Sequence, residues 1–230
     1  MSAAFRIAAV LCLALALAGC GRSASYRYKL TLSVDTPEGV KTGFNVVEID
    51  YWAVTFPAQG EPHKTRGQGI YLDLGPGRRP LIALLTRIRR ANDSWPIFLG
   101  WGLDDPMEVI YKACLGKSAV YSFIDVAQQF DQCQRPLAIT PADLPDLVTF
   151  ADVDDPKSIM LVDPNDLRAT LGPGVSWKSI TIETTGDRPT KGIDEHLSWV
   201  REYKPNMPLV VPQKSKYGEP FIGAPDFLRD

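Results

Sequence analysis

Few side chains in this 230-residue sequence have the type and spacing that chemistry requires. Its two histidines titrate nearest to neutrality and so come first. His63 lies in the polar run Gln59-Gly60-Glu61-Pro62-His63-Lys64 and reads as a solvated loop residue. His196 follows Asp194 and Glu195, acids that could orient it or raise its pKa. Sequence neighbours point in different directions, however, and no nucleophile accompanies it. Glu48 and Asp50 share one face of a β-rich run, and Glu183 lies on another. Carboxylates held ~5–9 Å apart could cleave a glycosidic bond, but nothing in the pattern brings these together, and they read as solvent-facing acids. Asp152, Asp154, Asp155, Asp163 and Asp166 offer oxygens of the kind calcium takes. The order Asp-Val-Asp-Asp-Pro lacks the glycine and distal glutamate of an EF-hand loop, so Asx turns and a helix cap account for it better. There is no GxSxG elbow, phosphate loop, HExxH helix or dinucleotide fingerprint. The reading assigns no catalytic residue, no metal ligand and no cofactor.

The amino terminus is more specific. Arg6 and the terminal amine precede an uncharged apolar run, Ile7 to Leu17, in the arrangement of a secretory signal. As a helix of ~1.5 Å rise per residue, that run covers about half of a ~30 Å hydrocarbon core. A permanent transmembrane helix is therefore the weaker reading. Leu17-Ala18-Gly19-Cys20 follows, and it resembles the lipobox of bacterial lipoproteins, in which the cysteine is acylated and becomes the first mature residue. Small residues fit the narrow site of a signal peptidase, and the Cys20 thiol accepts the lipid. Two or three acyl chains, at about 0.8 kcal/mol per buried methylene, would hold the protein durably on a membrane. A plain secretory signal or an uncleaved helix would carry the same apolar run without using the box. Cys12, inside the run, lacks the small residues before it. Gly21 stands where enteric bacteria use aspartate for inner-membrane retention, which points to the outer membrane, facing the periplasm.

With Cys20 lipidated, Cys114 and Cys133 remain as an even pair in an oxidising compartment, where a disulfide is expected. The chain-entropy model gives about 3 kcal/mol for closing a loop of about 20 residues. A reduced buried pair is the alternative; no ligands at zinc-like spacing accompany them. A formal net charge of −2 without a basic patch argues against a nucleic-acid partner. Nineteen prolines and 18 glycines imply many turns and few long helices.

The elements that must position these groups can be read from periodicity. Tyr26, Tyr28, Leu30, Leu32 and Val34 alternate with polar residues, the mark of a half-buried strand. Asp35-Thr36-Pro37-Glu38-Gly39 supplies a turn, and Phe44 to Phe56 a returning strand, so a long hairpin is expected over 26–56. Short strands are expected at 69–74, 147–150, 158–162 and 175–184. Leu81, Leu84, Leu85 and Ile88 at helical spacing, with Arg87, Arg89 and Arg90 behind them, predict a helix over 80–91. Helices are also expected at 106–114 and 118–130. Asp163-Pro164 reads as cap and first position of a helix ending at Gly172, and 192–201 as a short helix or turn. Trp95-Pro96-Ile97-Phe98-Leu99-Gly100-Trp101 could line a groove, although a core or subunit contact explains it more simply. Leu-Gly-Pro-Gly occurs at 74–77 and again at 171–174, as shared turn chemistry. The expectation is an α+β fold on a mainly antiparallel sheet: signal 1–19, tether 20–25, one domain over 26–202, and a proline-rich tail over 203–230 lying extended on the surface.

Two stretches resemble an uncharacterised family of proteobacterial proteins. One is Tyr28-Lys-Leu-Thr-Leu-Ser-Val-Asp-Thr-Pro-Glu-Gly39, with Gly43 and Val46-Val47-Glu48. The other runs from Leu144-Pro-Asp-Leu-Val-Thr-Phe150 through Asp163-Pro164, Gly172-Pro-Gly-Val175 and Ile180-Thr-Ile-Glu183 to Gly192-Ile193 and Leu197-Ser-Trp199. The resemblance implies one coherent domain and brings no activity with it. The expected function is a noncatalytic, membrane-anchored envelope protein that binds a partner or ligand through its sheet or apolar central segment. The alternative is a periplasmic hydrolase of an envelope polymer working through Asp or Glu residues. Radiolabelled palmitate should enter the wild-type chain and not Cys20→Ser; equal labelling of both would reject the anchor.

Overall fold

A computed structural model describes residues 21–54, 59–87, 106–116, 122–203, 209–210 and 221–230. Cys20 and the Trp95–Trp101 segment lie outside these residues. Strand β1 (Ser23–Thr36) turns at Pro37-Glu38 into β2 (Gly39–Trp52), and the two pair antiparallel from Ser23↔Trp52 to Thr36↔Gly39. The hairpin thus begins three residues before the expected start, and Ser23 to Ser25 belong to the ladder and not to a tether. β1 also pairs with β9 (Ser176–Thr184), with a register shift at Ser33/Val34. Outside these lie β3 (His63–Gln68), beside β2, and β6 (Leu137–Ala138), beside β9. A second sheet holds β4 (Ile70–Leu72), β5 (Leu81–Ala83), β7 (Leu147–Phe150) and β8 (Ile159–Val162) in that order. All these pairings are antiparallel, so the α+β reading holds.

The alternation read in β1 is a real burial pattern. Tyr26, Tyr28, Leu30, Leu32 and Val34 all enter one core, shared with Ile70, Leu72, Leu81, Ala83 and Leu147 from the second sheet. The opposite face of that second sheet makes another core, in which Ile82, Val148, Phe150 and Ile159 meet Ile193, Trp199 and Phe227. The four-stranded sheet is therefore covered on both faces. This corrects the helix expected over 80–91: its described part, residues 80–87, holds strand β5 and an irregular stretch, and no helix. A strand covered on both sides needs apolar residues at every position, and Leu81 to Leu85 are all buried. A continuous apolar run also satisfies helical spacing by chance.

Helices are short: α1 (Met107–Leu115), α2 (Phe123–Ala127), α3 (Leu167–Leu171) and α4 (Ile193–His196). α3 begins later than Asp163-Pro164 implied. Asp163 Oδ1 instead accepts from the Asn165 amide at 2.8 Å, an Asx turn, and Asp166 precedes the helix. Cys114 in α1 and Cys133 are joined in a disulfide with Cα atoms 5.7 Å apart. It fastens α1 beside Phe130, whose ring meets Tyr26 edge-on at 4.9 Å. A polar relay crosses from the first sheet to α4: Asn45 Nδ2 donates to the Gln68 carbonyl and the Ile193 amide to Gln68 Oε1, each at 2.8 Å.

The chain's end does not lie extended over the surface. Ala224–Phe227 forms a helix, α5, whose third residue, Asp226, reaches back to accept from the Gly223 amide at the cap position at 2.7 Å. Leu228 and Arg229 then add strand β10 to the edge of β3. Phe227 is fully buried against Phe150 and Trp199. Prolines forbid long regular structure, but they do not prevent a four-residue helix with Pro225 in its first turn. Phe227→Ala should destabilise the fold by about 3–5 kcal/mol, read as a lower urea midpoint at unchanged slope. A change below about 1 kcal/mol would mean that the last segment is not part of the cooperative unit.

Candidate functional site

The two Leu-Gly-Pro-Gly turns, nearly a hundred residues apart in sequence, lie beside each other at the tip of the β1–β2 hairpin. Both use the same conformations: Gly75 and Gly77, and Gly172 and Gly174, all have positive φ, which glycine adopts at no steric cost. Both leading leucines, Leu74 and Leu171, are buried in the main core and hold their turns down. A Cβ on Gly174 would come within 2.7 Å of Pro37 Cγ, so a side chain there would push the hairpin tip away.

Arg78 ties the three loops together. Its amide donates to the Gly75 carbonyl at 3.2 Å, closing the first turn. Its guanidinium donates to both carboxylate oxygens of Glu38 at 3.0 and 3.3 Å, and to the Pro173 carbonyl at 3.4 Å. The Arg78 hydrogen bond holds the Glu38 carboxyl below the usual carboxylate range. Between the loops lies an open cleft of about 470 Å³, lined by the two turns with Glu38, Arg78, Arg79 and Thr170. That volume falls within the range of small-ligand sites. Arg79 is exposed, with Nη1 4.0 Å from Met160 Sδ. The lining thus carries two guanidiniums against one carboxylate, with one hydroxyl and neither histidine nor cysteine. Such a lining can hold a polar or anionic group by hydrogen bonds and charge.

None of the residues weighed from sequence as catalytic or metal-binding lines this cleft. His196 is exposed and stacks on Tyr71, with ring centroids 4.2 Å apart. His63 sits beside Tyr51 with centroids 5.2 Å apart. The aspartates act in local turns: Asp152 accepts from the Asp154 amide and Asp155 from the Lys157 amide. Among the described residues no group of three or more His, Cys, Asp or Glu is placed to hold a metal. Glu48 corrects an expectation, because it is buried and not solvent-facing. Arg27 and Arg66 both bond its carboxylate, and Arg66 also bonds Asp50. Burial pushes Glu48 upward, but the hydrogen bonds from Arg27 and Arg66 outweigh it, and the carboxyl titrates below its ordinary range. A group held ionised in this way is poorly suited to act as a general acid. Glu183 pairs with Lys29 on the far side of β1 from Glu48. Sequence reading missed the cleft; the repeated Leu-Gly-Pro-Gly phrase was its one visible trace.

No family model, curated protein or solved structure matches the chain. The site is therefore read from its own residues.

Because Glu48 has a depressed folded-state pKa, its stabilisation is fully present above the unfolded carboxylate value of about 4.3. It disappears as pH falls through the lower folded value. Glu48→Gln should lose about 1–3 kcal/mol at pH 7, and the gap to wild type should close as the pH is lowered from the unfolded value of about 4.3 through the depressed folded one. Urea melts of both chains across that range measure the gap; a gap independent of pH would contradict the pairing.

Proposed function

We propose that this is a lipid-anchored envelope protein that binds, without catalysis, a partner or ligand at the end of the domain farthest from its membrane. The observation that carries the reading is the course of β1. The strand starts at Ser23, three residues after Cys20, and runs 14 residues to Thr36, two residues before Glu38 in the cleft. At ~3.3 Å per residue, the tip stands up to about 45 Å from the anchored end. If Cys20 carries the lipid, the strand itself is the spacer, and the cleft opens away from the bilayer.

The chemistry of the lining supports binding over turnover. Arg78 is committed to Glu38 and Pro173, so it shapes the cleft, while Arg79 lies exposed at its wall. A carboxylate or other anionic group on the partner would complement the exposed Arg79 guanidinium. On this reading the protein faces the periplasm, on the outer membrane in preference to the inner.

The test is site-specific photocrosslinking in cells from which the full chain is expressed. A photoreactive residue at Thr170 should give a discrete adduct that disappears with Arg79→Glu, whereas the same residue at the exposed Lys112 of α1 should not give that adduct. Cys20→Ser should release the protein from membranes and reduce the adduct. Identical adducts from both positions, or a Thr170 adduct indifferent to Arg79→Glu, would count against the cleft as the binding site.

A further inference from the structure

We infer that Trp52 is a membrane-contacting residue that seats the anchored end of the domain in the lipid headgroup layer; this rests on the lipid anchor proposed for Cys20. Three large apolar side chains stand out as exposed among the described residues, Val40, Phe44 and Trp52. All lie on the same face of β2, at even positions, but at different ends. Val40 and Phe44 are near the hairpin tip. Trp52 is the last residue of β2, directly opposite Ser23 at the start of β1.

Chain geometry leaves little freedom there. Ser23 is three residues from Cys20, so their Cα atoms can be at most about 10 Å apart. Trp52 lies one strand spacing farther, about 5 Å. The ladder already includes Ser23, and the Ala53 amide donates to the Arg22 carbonyl at 2.8 Å, so no slack tether intervenes. A lipid on Cys20 therefore holds Trp52 within reach of the polar layer of the bilayer, which is about 5–8 Å thick on each side.

The indole itself fits that layer. Trp177 and Trp199 donate their indole N–H groups to the carbonyls of Pro164 and Val153 at 2.8 and 2.9 Å. Trp52 is 42% exposed, and its indole has no acceptor among the described residues. A ring with an apolar body and a donor left open at the surface is the kind enriched at membrane–water boundaries, where both can be accommodated. Arg22 stands next to it, 61% exposed at its side chain and paired with Asp125, a cation suited to the same depth.

The test uses the full chain purified with its native amino-terminal modification and reconstituted in phosphatidylethanolamine–phosphatidylglycerol vesicles. Vesicles with bromine at shallow acyl positions should quench wild-type tryptophan emission, and Trp52→Phe should lose most of that quenching. A second variant, Phe44→Trp with Trp52→Phe, moves an indole to the far end of the same face and should restore none of it. Equal quenching in wild type and Trp52→Phe, with both proteins sedimenting with vesicles, would overturn this inference and leave the anchor standing. Protein left in the supernatant would overturn the anchor itself, and the inference with it.

Discussion

Strand β1 is hydrogen-bonded along both of its edges, to β2 over its whole length and to β9 over more than half of it. A strand held on two sides cannot slip by one residue without turning Tyr26, Tyr28, Leu30, Leu32 and Val34 out of the core. Those five side chains form the floor on which the second sheet rests. Once this register is set, Ser23 and Trp52 must lie together at one end and Pro37 and Glu38 at the other. The cleft at the tip and the exposed indole at the base are thus two consequences of one ladder. The register shift at Ser33/Val34 lies near the tip, where β9 joins the pair.

The arginines serve as connectors between segments distant in sequence. Arg78 joins the first glycine turn to the hairpin tip and to the second glycine turn. Arg27 and Arg66 bring β1 and β3 onto Glu48 in β2, and Arg201 joins Asp194 to Asp230 near the chain's end. A planar guanidinium with several donors can meet a carboxylate and a second acceptor at once, which a lysine cannot do with the same geometry. The exposed pairs contribute little stability individually. Their effect is on geometry: each holds two or three loops at a fixed separation. Glu48 differs because it is buried, and its loss would leave Arg27 without its carboxylate and Arg66 with Asp50 alone.

What was legible in the sequence was local. Alternation marked β1, and the proline–glycine turn after it marked the hairpin, because one face buried and one solvated imprints a period of two. Two cysteines left as an even pair once Cys20 is set aside were enough to expect the Cys114–Cys133 bond, which the structure contains. Where both faces are covered the imprint vanishes, and Leu81 to Leu85 were misread for that reason. The end of the tail, residues 221–230, was misread through its prolines, although Phe227 is among the most deeply buried side chains. Proline restricts only the residues around it, and its spacing cannot show that a short helix finds a hydrophobic socket.

The sequence alone determined the antiparallel α+β class and the long hairpin. These depend on interactions between residues close along the chain, or on the order of residue types itself. Tertiary structure decided what no local pattern contains: that two Leu-Gly-Pro-Gly turns meet at the hairpin tip, that Arg78 binds them, and that Glu48 is buried between two arginines. Each of these brings together segments separated by tens to more than a hundred residues, and only the packing of two sheets on a shared core fixes such distances.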